Sequence, residues 1–338
     1  MKLKYGSYGY DFELSELPEK QYEEWNQFVE GSPQGTVFQK TTWLKSFDDY
    51  KFKLIALTHK NNIVAGIPLV YTSRFGVKFA IHPPFTGYLG VMFRDSIQKY
   101  NTRLSFEKEF SNVAAKQLNE FAQYVSYTFH YNFLDANPFI SNGYSVKPYY
   151  MYVLNLEKDQ NGLLEDMEKD TRNRIKRAEQ YNLDCTEASP AEIAKLICTS
   201  FERKNQSPQY SKETYEKFLN KISQNVPTKS IMIKNKKEPI AGGCIIYDKK
   251  RAYYLFGGIN SDKEHKGINQ LVIWTLIKFV KEDLGLKEFD LQGWPNDGIE
   301  RFLRGFGGKL TQGISIYKTN TYCRIIDTAR TLRHKVKF

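Results

Sequence analysis

Residues 63–71 are IVAGIPLVY and residues 239–247 are PIAGGCIIY, and these two stretches decide the fold. At one constant offset, four positions carry the same or a closely similar residue: Val64, Ala65, Gly66 and Tyr71 align with Ile240, Ala241, Gly242 and Tyr247. Both stretches are short, rich in strand-forming residues and bounded by turn signals, so each predicts a β-strand. An internal repeat of this kind predicts two copies of one structural unit.

The segments that follow the two stretches share an order of strand, helix and strand. In the first half, FAIHPPF and YLGVMF predict aromatic strands, residues 106–129 a long helix, and YNFLDAN a closing strand. In the second half, the strand RAYYLFGGI precedes a helix at residues 267–285 and the strand KEFDLQG. Each closing strand contains an acid, Asp135 or Asp290. The predicted fold class is α/β (α+β), with two copies of one module in tandem.

The repeat also predicts where the chain divides. The first module covers residues 1–148, and the strand YYMYVLNL begins the second module, which covers residues 149–338. Hydrophobic spacing predicts early helices of the second module at residues 161–182, 190–205 and 211–224.

The composition indicates a folded protein with an excess of positive charge. Apolar residues make up 41% and aromatic residues 15% of the 338 residues, which is enough for a sizeable core. The formal net charge of +11 favours anionic partners: tRNA, a phosphate-bearing precursor or an anionic membrane surface. A lysine-rich genome explains the same charge equally well, so charge alone names no ligand.

Several familiar kinds of site are absent from the sequence. The four cysteines contain no C-x-x-C pair, which predicts free thiols in a reducing compartment. No G-x-S-x-G, Walker A, Rossmann or H-E-x-x-H pattern occurs, and the five histidines are dispersed. These absences argue against hydrolases, kinases, dehydrogenases and metalloenzymes and predict no metal site. Because no signal peptide or bilayer-spanning stretch is evident, the expected location is the cytoplasm.

The stretch TRNRIKRAE at residues 171–179 predicts a basic helix. Its apolar positions form one stripe at helical spacing, so the stripe docks on the core and cations remain at its edges. Arg172 and Arg174 flank the stripe on opposite sides and are candidate phosphate ligands, because guanidinium groups bind phosphate in a bidentate manner. The alternative is an exposed helix with ordinary ion pairs, for which Asp170 is available.

The HKGINQ segment at residues 265–270 precedes the long apolar helix of the second module. Backbone N–H groups at a helix N-terminus bind anions such as a pyrophosphate, so this segment is a candidate anion site. Its candidate residues are His265, Lys266, Gly267 and Asn269. His265 is a candidate base or ligand contact, although a lone histidine in a loop is more often structural.

The densest cluster of candidates is FDLQGWPNDGIERFLRGFGGKL at residues 289–310. It predicts a strand, a turn, a short helix capped by Asn296 or Asp297, and a glycine stop. Crevices of open α/β sheets form at the carboxyl ends of strands. The candidates at this strand end are Asp290, Gln292, Trp294 and Asn296. Arg304 is suited to neutralise a phosphate, a carboxylate or a developing oxyanion; the alternative places the arginines on the surface and Phe302 in the core.

Two further features are weaker. In GTVFQKTTWLKSF, Phe38 and Trp43 predict packing anchors, and Lys45 lies close to them. The stretch YCRIIDTARTLRHKVKF at residues 322–338 predicts either a final helix packed on the second module or a basic amphipathic helix on anionic lipid. The second alternative implies peripheral contact with the inner face of the membrane.

Three stretches taken together carry a family resemblance. They are the FQ…W segment at residues 38–43, the TRNRIKRAE helix, and the HKGINQLVIW…FDLQG…GIERFLRGFGG series from 265 to 308. They resemble the Fem-type aminoacyl transferases and the related GNAT-like acetyltransferases of envelope polysaccharide clusters. The resemblance implies two GNAT-like folds with a cleft between them. It also implies transfer from acyl-CoA or aminoacyl-tRNA, without a permanently bound cofactor, to an amine of an anionic nucleotide- or lipid-linked sugar precursor.

The resemblance implies roles for the candidate residues. Lys45 and either Arg172 or Arg174 resemble the residues that hold the precursor's phosphates. Phe302–Leu303–Arg304 resembles an aromatic–x–lysine triplet that holds the donor carbonyl. Arginine keeps the charge but donates no proton at neutral pH, so Arg304 is expected to act only by stabilising charge.

The remaining candidates are assigned by position. The HKGINQ segment becomes the donor site, although it has fewer glycines than such loops normally carry. Gln292, Trp294 and Asn296 are expected to contact substrate, and Asp290, or a water it holds, to accept the amine's proton. The alternative function is a non-catalytic module that binds an anionic glycan precursor, tRNA or membrane.

Overall fold

The protein divides into two compact units. The computed structural model describes residues 2–5, 10–74, 76–94, 99–236, 238–260, 265–293 and 296–319. Unit 1 comprises Met1–Tyr149 and Gln312–Phe338, and unit 2 comprises Tyr150–Thr311. The sequence placed everything after residue 148 in the second module. The structure instead returns the chain from Gln312 to unit 1, because the last described strand pairs with a strand of that unit.

The first half of the chain supplies most of unit 1. Its strands are β1 (Lys2–Tyr5), β2 (Tyr10–Glu16), β3 (Lys51–His59), β4 (Asn62–Arg74), β5 (Val77–Ile81), β6 (Met92–Phe93), β7 (Tyr124–Phe129) and β8 (Ser145–Asn155). Its helices are α1 (Tyr22–Gly31), α2 (Thr41–Leu44), α3 (Tyr100–Phe121) and α4 (Asn137–Ser141). Strand β8 leads from unit 1 into unit 2.

The second half supplies most of unit 2. Its strands are β9 (Asp184–Glu187), β10 (Thr228–Asn235), β11 (Glu238–Tyr247), β12 (Arg251–Ile259), β13 (Glu288–Asp290) and β14 (Lys309–Thr319). Its helices are α5 (Gln160–Asp166), α6 (Lys169–Glu179), α7 (Pro190–Glu202), α8 (Lys212–Asn225), α9 (Ile268–Glu282) and α10 (Asp297–Arg304). Among the described residues, no helix is both long and apolar enough to cross a membrane.

Each unit has a mixed sheet whose end strand comes from the other half of the sequence. In unit 1 the order is β1-β2-β3-β4-β5-β7-β14, with β5 and β7 parallel and β14 antiparallel to β7. In unit 2 the order is β9-β10-β11-β12-β13-β8, with β12 and β13 parallel and β8 antiparallel to β13. Strand β8 therefore runs from unit 1 into unit 2, and β14 runs from unit 2 back into unit 1.

The repeated strands β4 and β11 occupy the same place in their sheets. A Cβ added to Gly66 would lie 2.6 Å from the ring of Trp25 on α1. A Cβ added to Gly242 would lie 2.7 Å from the carbonyl oxygen of Ile231 and 3.0 Å from Leu196 on α7. In both copies, glycine thus lets a helix approach the sheet closely. The predicted tandem of two corresponding α/β units is thus observed in the structure.

Two predicted element boundaries are wrong. The helix predicted at residues 106–129 is α3, which ends at Phe121, and the following Tyr124–Phe129 is strand β7. The residues of β7 alternate between half-buried and buried, which is the period of a strand. The segment 131–137, predicted as the closing strand, contains no strand, so Asp135 lies beyond β7 and does not correspond to Asp290.

The basic helix predicted within residues 161–182 is interrupted. Its apolar stripe is buried as predicted, including Met167, Ile175 and Ala178. However, the helix breaks at Met167 and Glu168 into α5 and α6. The backbone N–H of Glu168 donates to the carbonyl oxygen of Gly305 at 2.9 Å, which fixes the break against the end of α10.

Candidate active site

Strand β13 of unit 2 is paired over its whole length, but only with the first residues of β12. The parallel register runs from Arg251↔Glu288 to Tyr253↔Asp290, where β13 ends, while β12 continues along β11 to Ile259. Just beyond this point β12 contains a bulge, because Tyr254 and Phe256 pair with consecutive residues of β11. Ligand crevices in α/β sheets form at such carboxyl ends, so this strand end is the candidate site.

The equivalent place in unit 1 is filled by the chain itself. Seven positions separate Ala252 from Ile259 in unit 2, whereas thirteen separate the equivalent Ala80 and Phe93 in unit 1. The six additional residues lie between β5 and β6. Tyr88, Leu89 and Val91 from this segment are buried. Unit 1 thus packs side chains and backbone where β12 of unit 2 carries its bulge.

His82 ties this inserted segment of unit 1 to β7. Its Nε2 accepts a hydrogen bond from the backbone N–H of Thr128 at 2.8 Å, and its Nδ1 lies 2.9 Å from the carbonyl oxygen of Thr86. The neutral ring therefore carries its proton on Nδ1 and donates it to Thr86. Burial lowers the pKa of His82 to about 4, so the ring remains uncharged near neutral pH.

Asp290 and Gln292 form a linked pair at the end of β13. Asp290 is completely buried, and its Oδ1 accepts a hydrogen bond of 2.7 Å from the backbone N–H of Gln292. Gln292 adopts a positive φ of 61°, a region that glutamine rarely occupies. Among the residues that the structure describes, its buried side-chain Nε2 has no hydrogen-bond partner.

Helix α10 follows this strand end and presents Arg304. Asn296 caps the helix, since its Oδ1 accepts from the backbone N–H of Ile299 at 3.1 Å. Phe302 is partly buried against the core of unit 2, with its ring 5.5 Å from that of Phe306. Arg304 is half exposed; its Nε lies 3.2 Å from Glu300 and its NH1 lies 3.5 Å from Glu168.

Sequence reasoning missed the acids and the tyrosine around Arg304. The hydroxyl of Tyr152 donates to Oε1 of Glu300 at 2.6 Å. Burial and then the neighbouring Glu300 raise the pKa of Tyr152 to about 12. The spacing of Glu300 four residues before Arg304 was a usable signal for the ion pair. Nothing in the sequence brings Tyr152 or Glu168 to this helix, because both contacts depend on the tertiary fold.

The HKGINQ segment forms the N-terminus of α9 and packs on α6. Gly267 is the residue before the helix, with a φ of 92°, and an added Cβ would lie 2.2 Å from the carbonyl oxygen of Arg174. The ring of His265 is perpendicular to that of Tyr181, with 5.1 Å between centroids. Lys266 is exposed and Asn269 is half-buried in the first turn of α9. Backbone N–H groups at a helix N-terminus such as this one can donate hydrogen bonds to an anion.

The three predicted phosphate ligands are engaged within the protein. NH1 of Arg172 donates to the carbonyl oxygens of Leu164, Glu165 and Met167 at 2.9–3.1 Å, where α5 ends. Arg174 is exposed and pairs with Asp170 at 2.7 Å. In unit 1, Lys45 is exposed, pairs with Glu19 at 2.7 Å and lies over the ring of Tyr22. Arg172 therefore stabilises the break between α5 and α6.

The predicted site residues of unit 2 lie in three groups. Asp290 and Gln292 lie at the end of β13, Phe302 and Arg304 lie on α10, and the HKGINQ segment packs against α6. Trp294 and the basic stretch at residues 322–338 lie outside the described residues. Within the described ranges, no group of three or more His, Cys, Asp or Glu side chains is arranged to hold a metal ion.

Comparison with known proteins identifies the class of fold and domain. Residues 166–302 match the acetyltransferase (GNAT) domain family. No curated protein has a sequence that matches this chain. The crystal structure of FemX is similar with a TM-score of 0.66 at 14% identity, covering 93% of this chain and 99% of FemX. A tandem GNAT protein from the clavulanic acid biosynthesis pathway matches with a TM-score of 0.55 at 8% identity, covering 90% and 97% of the two chains.

A third similar structure comes from Bacillus licheniformis. L-PGS from Bacillus licheniformis matches with a TM-score of 0.53 at 13% identity, covering 94% of this chain and 97% of that one. Residues 166–302 of unit 2 thus match an acetyltransferase (GNAT) domain, and the chain as a whole shares the fold of FemX and of a tandem GNAT protein. The resemblance to Fem-type and GNAT-like proteins inferred from the sequence is confirmed, at the level of the fold.

Proposed function

We propose that this protein is an acyltransferase that moves an activated acyl or aminoacyl group onto an amine of a cell-envelope precursor, either peptidoglycan or a polysaccharide amino sugar. One observation carries the proposal: in the GNAT domain the pairing of β12 with β13 stops at Tyr253 and Asp290, where β13 ends, while β12 continues along β11 to Ile259. The equivalent place in unit 1 contains an inserted segment. The GNAT match and the FemX-like fold support acyl-group chemistry at the open strand end of unit 2.

The proposed reaction is direct attack of the acceptor amine on the activated carbonyl of the donor. A new C–N bond forms and the ester or thioester bond to the donor breaks. The proton lost by the amine ends on the leaving group, which departs as the thiol of CoA or the ribose hydroxyl of tRNA. Positioning and charge stabilisation supply most of the acceleration. Arg304 stabilises the developing oxyanion, and Phe302 orders α10 through its contact with Phe306. Asp290 is completely buried and bonded to Gln292, which favours a positioning role over direct proton transfer.

The donor is either acyl-CoA or aminoacyl-tRNA, and the N-terminus of α9 is the proposed donor site. Gly267 permits α9 to begin directly against α6, and Lys266 adds an exposed cation to that helix end. The net charge of +11 suits a tRNA and also an anionic nucleotide- or lipid-linked acceptor. Arg174 and Lys45 occupy exposed ion pairs, which an anionic ligand can displace at little cost.

Donor binding tests this function first. The purified protein is titrated with acetyl-CoA, longer acyl-CoAs and an aminoacyl-tRNA pool, each at two salt concentrations, with affinity and thermal stability as readouts. Lys266→Ala is expected to weaken donor binding and reduce its salt dependence, because it removes one cation from the donor site. Lys195→Ala is the matched control, since Lys195 is an exposed lysine on α7 of the same unit.

The outcomes separate the alternatives. Binding of an acyl-CoA favours N-acylation of an envelope sugar, and binding of charged tRNA alone favours aminoacyl transfer to a peptidoglycan precursor. Radiolabelled donor and a precursor amine then test transfer itself. Tight binding of precursor without transfer from any donor would instead favour the non-catalytic binding module.

A further inference from the structure

Gln292 combines two unfavourable features at one position. Its backbone occupies the left-handed region at a φ of 61°, although the residue is neither glycine nor asparagine. Its side-chain amide nitrogen is buried, with no hydrogen-bond partner in the described part of the chain. A glycine would avoid both features, and a glycine does stand at the next position, Gly293. Residues that keep such strain are concentrated where a ligand is bound.

Hydrogen bonds to Asp290 and to the backbone of Tyr152 hold this strained turn in place. Asp290 is completely buried, and its Oδ1 accepts the backbone N–H of Gln292 at 2.7 Å. The backbone N–H of Leu291, between them, donates to the carbonyl oxygen of Tyr152 on β8 at 2.9 Å. The turn at residues 290–292 is therefore fixed by two hydrogen bonds, and neither uses the side chain of Gln292.

We infer that the side-chain amide of Gln292 donates a hydrogen bond to an uncharged carbonyl oxygen of the bound substrate, with Asp290 as its positioning residue. The inference rests on the proposed function, because it requires a substrate at the open strand end of unit 2. Beyond the proposed function, the inference specifies which chemical group of the substrate Gln292 recognises. Arg304 acts on the reacting carbonyl, whereas Gln292 holds a carbonyl that does not react.

The surroundings favour a carbonyl oxygen over a phosphate. Gln292 is a neutral donor that is hydrogen-bonded through its backbone to the acidic Asp290. The adjoining Leu291 is buried in the apolar core of unit 2. An anion placed there would lose its hydration beside an acid without gaining a cation. An amide or ester carbonyl needs one N–H donor, which is what the unpaired Nε2 supplies.

Two substitutions test the inference, each with a matched control. Gln292→Gly removes the strained side chain and the buried amide, and its control Asn182→Gly places glycine at another positive φ, 50°, in the same unit. Gln292→Glu keeps the shape but replaces the N–H donor, and its control Gln224→Glu makes the same charge change on the exposed face of α8. The probes are acetyl-CoA, alanyl-tRNA and a UDP-linked muramoyl peptide.

The expected result is opposite changes in stability and affinity. Gln292→Gly should raise Tm by about 2–4 °C, more than Asn182→Gly. Both Gln292 variants should weaken binding of at least one probe by about tenfold or more, and neither control should. A lower Tm for Gln292→Gly, or unchanged affinity for every probe, overturns the inference. Failure of the proposed function gives a different result: wild-type protein that binds a probe yet transfers nothing, with the Gln292 effects on binding and Tm still present.

Discussion

The guanidinium Nε of Arg304 lies 3.2 Å from the carboxylate of Glu300, one turn earlier on α10. The same Glu300 oxygen accepts a hydrogen bond of 2.6 Å from the hydroxyl group of Tyr152. Arg304 is thus oriented by a carboxylate that is itself anchored to β8, while half of its own surface remains exposed. A cation held in this way is preorganised to stabilise a developing negative charge.

Replacing Arg304 should therefore affect turnover far more than folding. Arg304→Ala is expected to lower kcat by about 100-fold or more, because it removes the preorganised charge. Its Tm should change little, since exposed ion pairs contribute little stability. Arg301→Ala, an exposed arginine on the same helix, is the control and should keep its activity. Turnover close to that of the wild type in Arg304→Ala would exclude this role.

Replacing Arg172 should lower the free energy of unfolding more than replacing Arg174. Arg172→Ala removes hydrogen bonds to three carbonyl oxygens at the end of α5, and should cost about 1–3 kcal/mol in the free energy of unfolding. Arg174→Ala loses only an exposed pair with Asp170, and should cost less than about 0.5 kcal/mol. Chemical denaturation of both variants measures the difference. Equal losses would show that Arg172 does not hold the α5–α6 break.

Gly267 should be required by the packing of α9 on α6. Gly267→Ala places a Cβ 2.2 Å from the carbonyl oxygen of Arg174 and also strains a φ of 92°. Gly285→Ala is the matched control, because Gly285 has a φ of 64° but nothing within 4 Å of an added Cβ. The control should lose about 1 kcal/mol from backbone strain, and Gly267→Ala clearly more. Similar unfolding free energies for the two variants would contradict the close contact.

The stability of unit 1 should depend on pH through His82. Its pKa is lowered from 6.5 to about 4 by burial, so the unfolded chain binds more protons between these values. The stabilisation by neutral His82 is complete above pH 6.5 and is lost as the pH falls toward about 4. A shift of this size corresponds to about 3 kcal/mol.

Comparison with a variant isolates this effect from that of the carboxylates. Unfolding free energies of wild type and His82→Gln are measured from pH 7 to pH 4. The wild type should lose more stability over this range, because glutamine takes up no proton there. Parallel pH dependences for the two proteins would contradict the assignment of a neutral, buried ring.

The tandem architecture was predictable because the repeat lies in two strands where a glycine allows a helix to pack closely against the sheet. Gly66 and Gly242 are needed for the same close approach, so their spacing survives in the sequence as a visible signal. The strand β7 was missed because its aromatic residues also satisfy the helical pattern that precedes it. The break between α5 and α6 was missed because it is stabilised by the side chain of Arg172 and by Gly305, neither of which marks a helix end locally.

The site was predictable at the level of its segments, and less so in its contacts. Asp290 and Gln292 were selected because they lie at the end of a strand and in the loop after it. Arg304 was selected because it lies on the short helix that follows. Their partners could not be predicted, since Tyr152 and Glu168 approach α10 from distant parts of the sequence. The roles expected for Arg172 and Lys45 rested on the family resemblance, supported for Arg172 by charge and helical spacing, and neither reveals whether a cation already has an internal partner.

The return of β14 to unit 1 has a consequence for biosynthesis. Residues 1–149 leave the ribosome long before β14, yet β14 is the strand that completes the sheet of unit 1 beside β7. During translation, the edge of β7 must therefore stay unpaired until nearly the whole of unit 2 has been made. Exposed strand edges favour aggregation, so the nascent chain passes through a vulnerable stage that a simple duplication of two self-contained units would avoid.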